Sequence, residues 1–167
     1  KKYSSDIKKE IKMHYTIFQG APNIVEKIHY ISLVDVDIES CTEVVGVKKI
    51  FLGQPLAEVG SNKEDLLKTL QVLGIDYYFK HPREQIVDLS LNIIETKLIF
   101  EEYMVNLLEC KRNFSFEIYT FSSSAAINVA SLNRVSVYFV YSPFVNKSAP
   151  FLYQEIEKLG FNVINKV

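Results

Sequence analysis

Two spacings of apolar residues alternate along this chain. Dense runs rich in β-branched and aromatic side chains fit strands, and wider runs that repeat every three to four residues fit amphipathic helices. Strand-like runs occur at 28–34, 47–52, 75–79, 115–121, 135–141 and 161–164. Between them, Leu66, Leu67, Leu70 and Leu73 form a helical stripe that opens on the capping-box-like Ser61-Asn62-Lys63-Glu64-Asp65 and closes at Gly74. A short apolar segment at 86–91 leads toward a second helix over 99–108, where Ile99/Phe100, Tyr103/Met104 and Leu107/Leu108 recur every four residues. Further helices are expected over 125–132 and 149–159, the last closed by Gly160.

Strand and helix alternate from Val47 to the end. Right-handed crossovers of this length build a mainly parallel sheet covered on both faces, so the expected fold is α/β, a Rossmann-like three-layer domain over 47–167. Residues 1–46 follow a different pattern. Ile7, Ile11 and His14 or Tyr15 share one face at helical spacing, with Asp6 as cap, which predicts a linker helix over 5–18. Gly20-Ala21-Pro22-Asn23 breaks it before an entry strand at 28–34. His14 and His29 have no acidic or cysteine neighbours at ligand spacing and read as structural.

Composition narrows the partners. The chain has 167 residues and 19.2 kDa, is 48% apolar and carries a formal charge of -1, an ordinary globular balance for one domain with its own core. Lysines and arginines (19) nearly match aspartates and glutamates (20), so no strong basic field draws a nucleic acid. Cys41 and Cys110 lie far apart without metal-type spacing and read as small core residues, reduced in a cytosolic setting. No apolar run approaches the roughly 18 residues of a membrane span. The chain opens on Lys1 with neither methionine nor hydrophobic leader, which points to one part of a longer protein.

The chemistry concentrates where strands end. In Gly74-Ile75-Asp76-Tyr77-Tyr78-Phe79-Lys80-His81-Pro82-Arg83-Glu84 the aromatic run stops at a proline, which cannot continue a ladder, so His81 falls at a strand's carboxyl end. Proline fixes its own φ and biases the preceding residue toward extended geometry, holding His81 in a defined direction beside Arg83 and Glu84. A surface turn with Arg83 paired to Glu84 explains the same residues. Two further junctions are polar: 52–60 with Glu58, and 121–124 with Ser122, Ser123 and Ser124. Hydroxyls and unpaired N–H groups at a helix N-terminus suit a phosphate, although three serines also suit an N-cap with two spare hydroxyls. Glu101 and Glu102 lie in a first helical turn, where they complement the helix dipole or bind a ribose diol. Parallel connections bring these junctions to one edge of the sheet, and together they fit a phosphate-bearing sugar nucleotide. The chain carries no GxGxxG or P-loop, which argues against a dinucleotide oxidoreductase and a P-loop NTPase, and no aspartate or histidine cluster of a metal site.

In their order, Leu52-Gly53-Gln54-Pro55, Glu58-Val59-Gly60, Tyr78-Phe79-Lys80-His81-Pro82-Arg83-Glu84, Phe100-Glu101 and Phe121-Ser122-Ser123-Ser124 resemble the C-terminal half of bacterial sialyltransferases. The nearest group is glycosyltransferase family 52, the lipooligosaccharide and capsule sialyltransferases. That resemblance, over about 48–161, implies one half of a GT-B enzyme, whose two Rossmann-like domains face across a cleft. This half would bind the CMP part of CMP-sialic acid. It implies His81 as the acid on the donor phosphate, and Ser123 and Ser124 with Ser122 as its hydrogen-bonding partners. Glu101, or failing that Glu102, would hold the ribose, Pro82 would shape the cytidine pocket, and Gly53 would lie beside the substrate. Arg83 is expected to brace the loop through Glu84. The implied reaction inverts the anomeric centre by direct attack of a galactose-type acceptor on a surface glycan, with no metal or cofactor.

The acidic motif of that family is two acids and a glycine, and here it reads Glu58-Val59-Gly60. Either Glu58 is the base or the chain lacks one. The implied partners are CMP-sialic acid, an oligosaccharide acceptor and an N-terminal domain of the same enzyme. Exposed edges or apolar faces would favour a homodimer. The implied location is cytoplasmic, at most peripheral at the inner membrane. Two other readings share the fold: a glycosyltransferase for UDP- or GDP-sugars, and a non-catalytic flavodoxin- or receiver-like module, for which Asp35 and Asp37 fit poorly.

Overall fold

The computed structural model describes residues 10–17, 25–31, 44–84 and 91–165. Strands β1 (His14–Thr16) and β2 (Ile28–Tyr30) pair in parallel as a separate two-stranded sheet. The main sheet contains β3 (Gly46–Leu52), β4 (Tyr77–Phe79), β5 (Asn92–Ile94), β6 (Phe114–Thr120), β7 (Val135–Val140) and β8 (Asn162–Ile164). Its six strands run in the order β5-β4-β3-β6-β7-β8, and every neighbouring pair is parallel. Counted from β3, this is the 3-2-1-4-5-6 order of a doubly wound Rossmann-like sheet, whose direction reverses between β3 and β6.

The helices are α1 (Leu56–Val59), α2 (Lys63–Leu73), α3 (Phe100–Cys110), α4 (Ser124–Val129), α5 (Pro143–Ser148) and α6 (Leu152–Lys158). Helices α3 and α4 touch each other, α4 packs against β6 and β7, and α6 packs against β8. Helix α2 forms where its sequence signals it. The Asn62 side chain accepts the Asp65 N–H at 2.8 Å, Leu66 and Leu70 are buried, and Gly74 ends the helix at φ 63, which glycine adopts without steric cost. At the far end of α3, Arg134 donates to the carbonyls of Leu108, Lys111, Arg112 and Phe114, satisfying acceptors that a helix terminus leaves unpaired.

The core is densest toward the carboxyl ends of the central strands. Ile50, Phe51 and Leu52 of β3, Ile118 and Tyr119 of β6, and Phe139 and Val140 of β7 are all buried. Phe51 stacks on Tyr78 at 5.9 Å and meets Phe121 edge-on at 5.3 Å, while Phe79 meets Phe100 edge-on at 5.0 Å. This aromatic layer, each ring worth about 1.5–3 kcal/mol in burial, forms a stiff floor beneath the strand ends.

The structure departs from what the sequence pattern predicts in four respects. The helix predicted over 5–18 is not present at 14–16, where His14–Thr16 is a strand paired with Ile28–Tyr30; residues 5–9 lie outside the described ones, as do 20–23, 32–43 and 85–90. The helix predicted over 149–159 is α6, shorter at both ends (Leu152–Lys158), and an unpredicted helix, α5, precedes it. Pro143, beyond the end of β7, opens α5 behind a Ser142 N-cap, and Ala149 at φ -138, ψ 76 ends it before α6 begins. Strand β5 and the short helix α1 have no counterpart among the predicted elements. Cys110 is exposed at the end of α3 rather than buried, and Cys41 lies outside the described residues.

Candidate active site

Strand register aligns Leu52 with Phe79, and Phe79 with Ile94, so β3, β4 and β5 end side by side. Just beyond them lies a cavity of about 980 Å³. Lys80, His81 and Pro82 enter it from β4, residues 95–99 from β5, Phe100 and Glu101 from the start of α3, and Ser123, Ser124 and Ala125 from the start of α4. This is the crevice at strand carboxyl ends where doubly wound sheets hold ligands.

His81 sits on a closed turn. The Glu84 N–H donates to the His81 carbonyl (2.9 Å), and the His81 N–H donates back to Glu84 Oε2 (3.1 Å). Tyr78 donates its hydroxyl to Glu84 Oε1, and the Arg83 N–H donates to His81 Nδ1 at 3.1 Å. Glu84 is only 5% exposed, and burial raises its carboxyl pKa above the usual value, outweighing the opposing hydrogen bonds from Tyr78 and the His81 N–H. Burial, and then the Glu84 carboxylate, pushes the Tyr78 phenol upward as well. Gly53 lies against this pair. A Cβ there would come within 2.5 Å of both Glu84 Oε2 and Tyr78 Oη, so Gly53 leaves room for the pair and does not line the cavity.

The serine junction is tied to β3. Gln54 Oε1 accepts the Ser122 N–H at 2.8 Å, and Gln54 Nε2 donates to the Ser122 hydroxyl at 3.0 Å. This places Gln54 across the switch point between β3 and β6. Thr120 Oγ1 accepts the Ser123 N–H (3.3 Å), and Ser123 precedes α4 without spending its own side chain on a cap. Ser122 is therefore outside the cavity wall, with Ser123 and Ser124 in it.

The two candidate glutamates of α3 separate by helical geometry. Glu101 faces the cavity and accepts from Asn128 Nδ2 at 2.7 Å, while Glu102 is exposed and away from the cavity. Glu58 also lies off the cavity wall. Its carboxylate takes both ends of the Arg83 guanidinium, at 2.7 and 3.2 Å. This corrects the expected Arg83–Glu84 brace: Glu84 turns inward to Tyr78, and Arg83 reaches across to the acidic motif instead. Val59 is buried, and Gly60, at φ 59, packs its backbone against the Phe144 ring. The Ser142 hydroxyl donates to the Val59 carbonyl at 2.8 Å, and the Tyr153 hydroxyl accepts the Ser142 N–H at 3.0 Å. Burial first pushes the Tyr153 phenol up to about 12.

The supporting residues Gln54, Tyr78, Thr120 and Asn128 were not picked out as site residues by sequence reasoning. Gln54 is 68 positions from Ser122 and Asn128 is 27 from Glu101, beyond any local pattern. Among the described residues no group of three or more His, Cys, Asp or Glu side chains is placed to hold a metal ion, and no helix is long and apolar enough to cross a membrane.

The profile of glycosyltransferase family 52 matches residues 1–142. A protein from Haemophilus influenzae named N-acetyllactosaminide alpha-2,3-sialyltransferase is 36% identical over 171 residues, covering 99% of this chain and 53% of that protein. The Pasteurella multocida CMP-N-acetylneuraminate:beta-galactoside alpha-2,3-sialyltransferase is 35% identical, over 91% of this chain and 49% of that protein. An N-acetyllactosaminide alpha-2,3-sialyltransferase of Neisseria meningitidis is 31% identical, over 75% of this chain and 34% of that protein. The chain thus spans about half the length of the first two relatives.

Proposed function

The chain belongs to glycosyltransferase family 52, and on that premise we propose that it is the donor-nucleotide-binding domain of an inverting sialyltransferase. The enzyme would move sialic acid from CMP-sialic acid to a galactose-type acceptor on a surface glycan. The observation that carries this reading is the cavity at the ends of β3, β4 and β5, where His81, Glu101, Ser123 and Ser124 meet.

Each group has a task that its chemistry suits. As the glycosidic bond breaks, charge builds on the departing CMP phosphate. A fixed imidazole N–H together with the hydroxyls of Ser123 and Ser124 offsets that charge without reorganisation. Glu101, oriented by Asn128, accepts from the ribose hydroxyls. Pro82 forms one wall beside the base, and Lys80 and Lys97 add positive charge around an anionic donor. Glu58, aimed by Arg83, is the carboxylate available to take the acceptor proton, since Val59 cannot. The reading assigns acceptor binding to the part of the enzyme beyond this chain and requires neither metal nor cofactor.

The test is transfer by the complete protein from CMP-sialic acid to N-acetyllactosamine, with the anomeric configuration of the product read by NMR. Inverted sialylated product, and no use of UDP- or GDP-sugars, is the expected result. Transfer from another sugar nucleotide in preference to CMP-sialic acid would overturn the reading.

A further inference from the structure

We propose that Glu84 is a positioning residue that fixes His81 in one tautomer, with Nδ1 unprotonated and Nε2–H turned to the cavity. What Nε2–H meets there rests on the function proposed above; the tautomer itself does not. A neutral imidazole has one nitrogen that donates and one that accepts. The Arg83 backbone N–H is a donor only, and it points at Nδ1 from 3.1 Å. That bond requires a lone pair on Nδ1, so the ring proton resides on Nε2. His81 lines the cavity, and with Nδ1 engaged by its own turn, Nε2 is the nitrogen left to a ligand.

The geometry of that turn depends on Glu84. Its Oε2 accepts the His81 N–H at 3.1 Å and its own N–H donates to the His81 carbonyl at 2.9 Å, so the Arg83 N–H lies inside a loop closed at both ends. The carboxylate cannot swing out to water, because it is buried, held at Oε1 by Tyr78 and packed against Gly53, where no Cβ fits. Orientation therefore passes from the floor of the sheet to the histidine ring through one buried carboxylate. This resembles the way a partner at one ring nitrogen sets the chemistry offered by the other. With a nucleotide phosphate in the cavity, Nε2–H donates a hydrogen bond to a phosphate oxygen, and no bond to hydrogen breaks.

The test reads the ring nitrogens directly, by long-range 15N–1H NMR of the histidine-labelled chain at about pH 8, where an unperturbed imidazole is neutral. His81→Gln identifies the His81 signals among those of the three histidines. Wild type is expected to give a pyridine-type Nδ1 and a pyrrole-type Nε2. Glu84→Gln keeps this pattern, because the amide oxygen accepts from the His81 N–H while its NH2 donates to Tyr78 Oη. Glu84→Ala gives averaged tautomers and binds CMP about tenfold more weakly, the loss of roughly one hydrogen bond's worth of orientation. If Glu84→Ala does not fold, Glu84→Asp, whose shorter carboxylate cannot span both partners, should show the same averaging. A wild-type proton on Nδ1, or an unchanged His81 pattern in the folded Ala or Asp variant, overturns the proposal. Failure of CMP to bind wild type instead overturns the donor-site reading and leaves the tautomer result standing.

Discussion

Tyr78 donates its phenolic hydroxyl to Glu84, so the last turn of the β4 segment is fastened to the strand by a side chain that also forms the stacked partner of Phe51. Replacing Tyr78 with Phe keeps the stacking and leaves a buried carboxylate oxygen without its donor. The expected cost is about 1–3 kcal/mol. In a domain of this size that lowers Tm by roughly 2–4 °C per kcal/mol, measured by thermal and urea unfolding.

The pH dependence of stability should report Glu84. Its folded-state pKa is raised above the ordinary value of 4.5, chiefly by burial. A raised pKa means that the folded chain holds this proton more tightly than the unfolded chain. The stabilisation is fully present below the unfolded value and is lost as pH rises through the folded one. Wild type should therefore lose stability relative to Glu84→Gln as pH rises above the ordinary carboxyl value of 4.5. Urea melts at several pH values check the sign, and a relative gain there would contradict it.

Arg83 and Glu58 make a different kind of pair, at 67% and 48% side-chain exposure. Solvent screening limits such a pair to about 1 kcal/mol or less, so Arg83→Ala should barely move the urea midpoint. Glu58→Gln in the complete protein should lower kcat by about 10²–10⁴ if Glu58 takes the acceptor proton. A kcat near wild type would remove Glu58 from that role.

Gln54→Ala detaches the serine junction from β3, because the Ser122 N–H and hydroxyl lose their partner together. A stability loss of about 1–3 kcal/mol is expected. CMP binding should weaken as well, since Ser123 follows directly, and parallel unfolding and binding measurements separate the two effects.

Much of this fold is legible in the sequence because its strands announce their ends. β3 runs into Gly53 and Pro55, and β4 into Pro82, so the polar residues that follow fall at one edge of the sheet. Three-residue strands are harder to read. β1 and β5 are too short to show alternation, and Ile11 with His14 and Tyr15 mimics a helical face until the partner strand at Ile28–Tyr30 claims those residues. α5 carries no sequence warning either, because its opening proline, Pro143, reads equally as the residue that ends a ladder. Within the site, the cavity walls at His81, Pro82, Glu101, Ser123 and Ser124 come from residues that carry their chemistry openly. The partners of those residues do not. Glu84 pairs inward with Tyr78 rather than outward with Arg83, a choice made by burial and by the missing side chain at Gly53.

The most direct test of the donor-site reading is calorimetric titration of this chain with CMP, with UMP, GMP and NAD as controls, on wild type and His81→Ala. The predicted result is selective binding of CMP that weakens in the variant. No binding of CMP, or preference for another of these nucleotides, would contradict it.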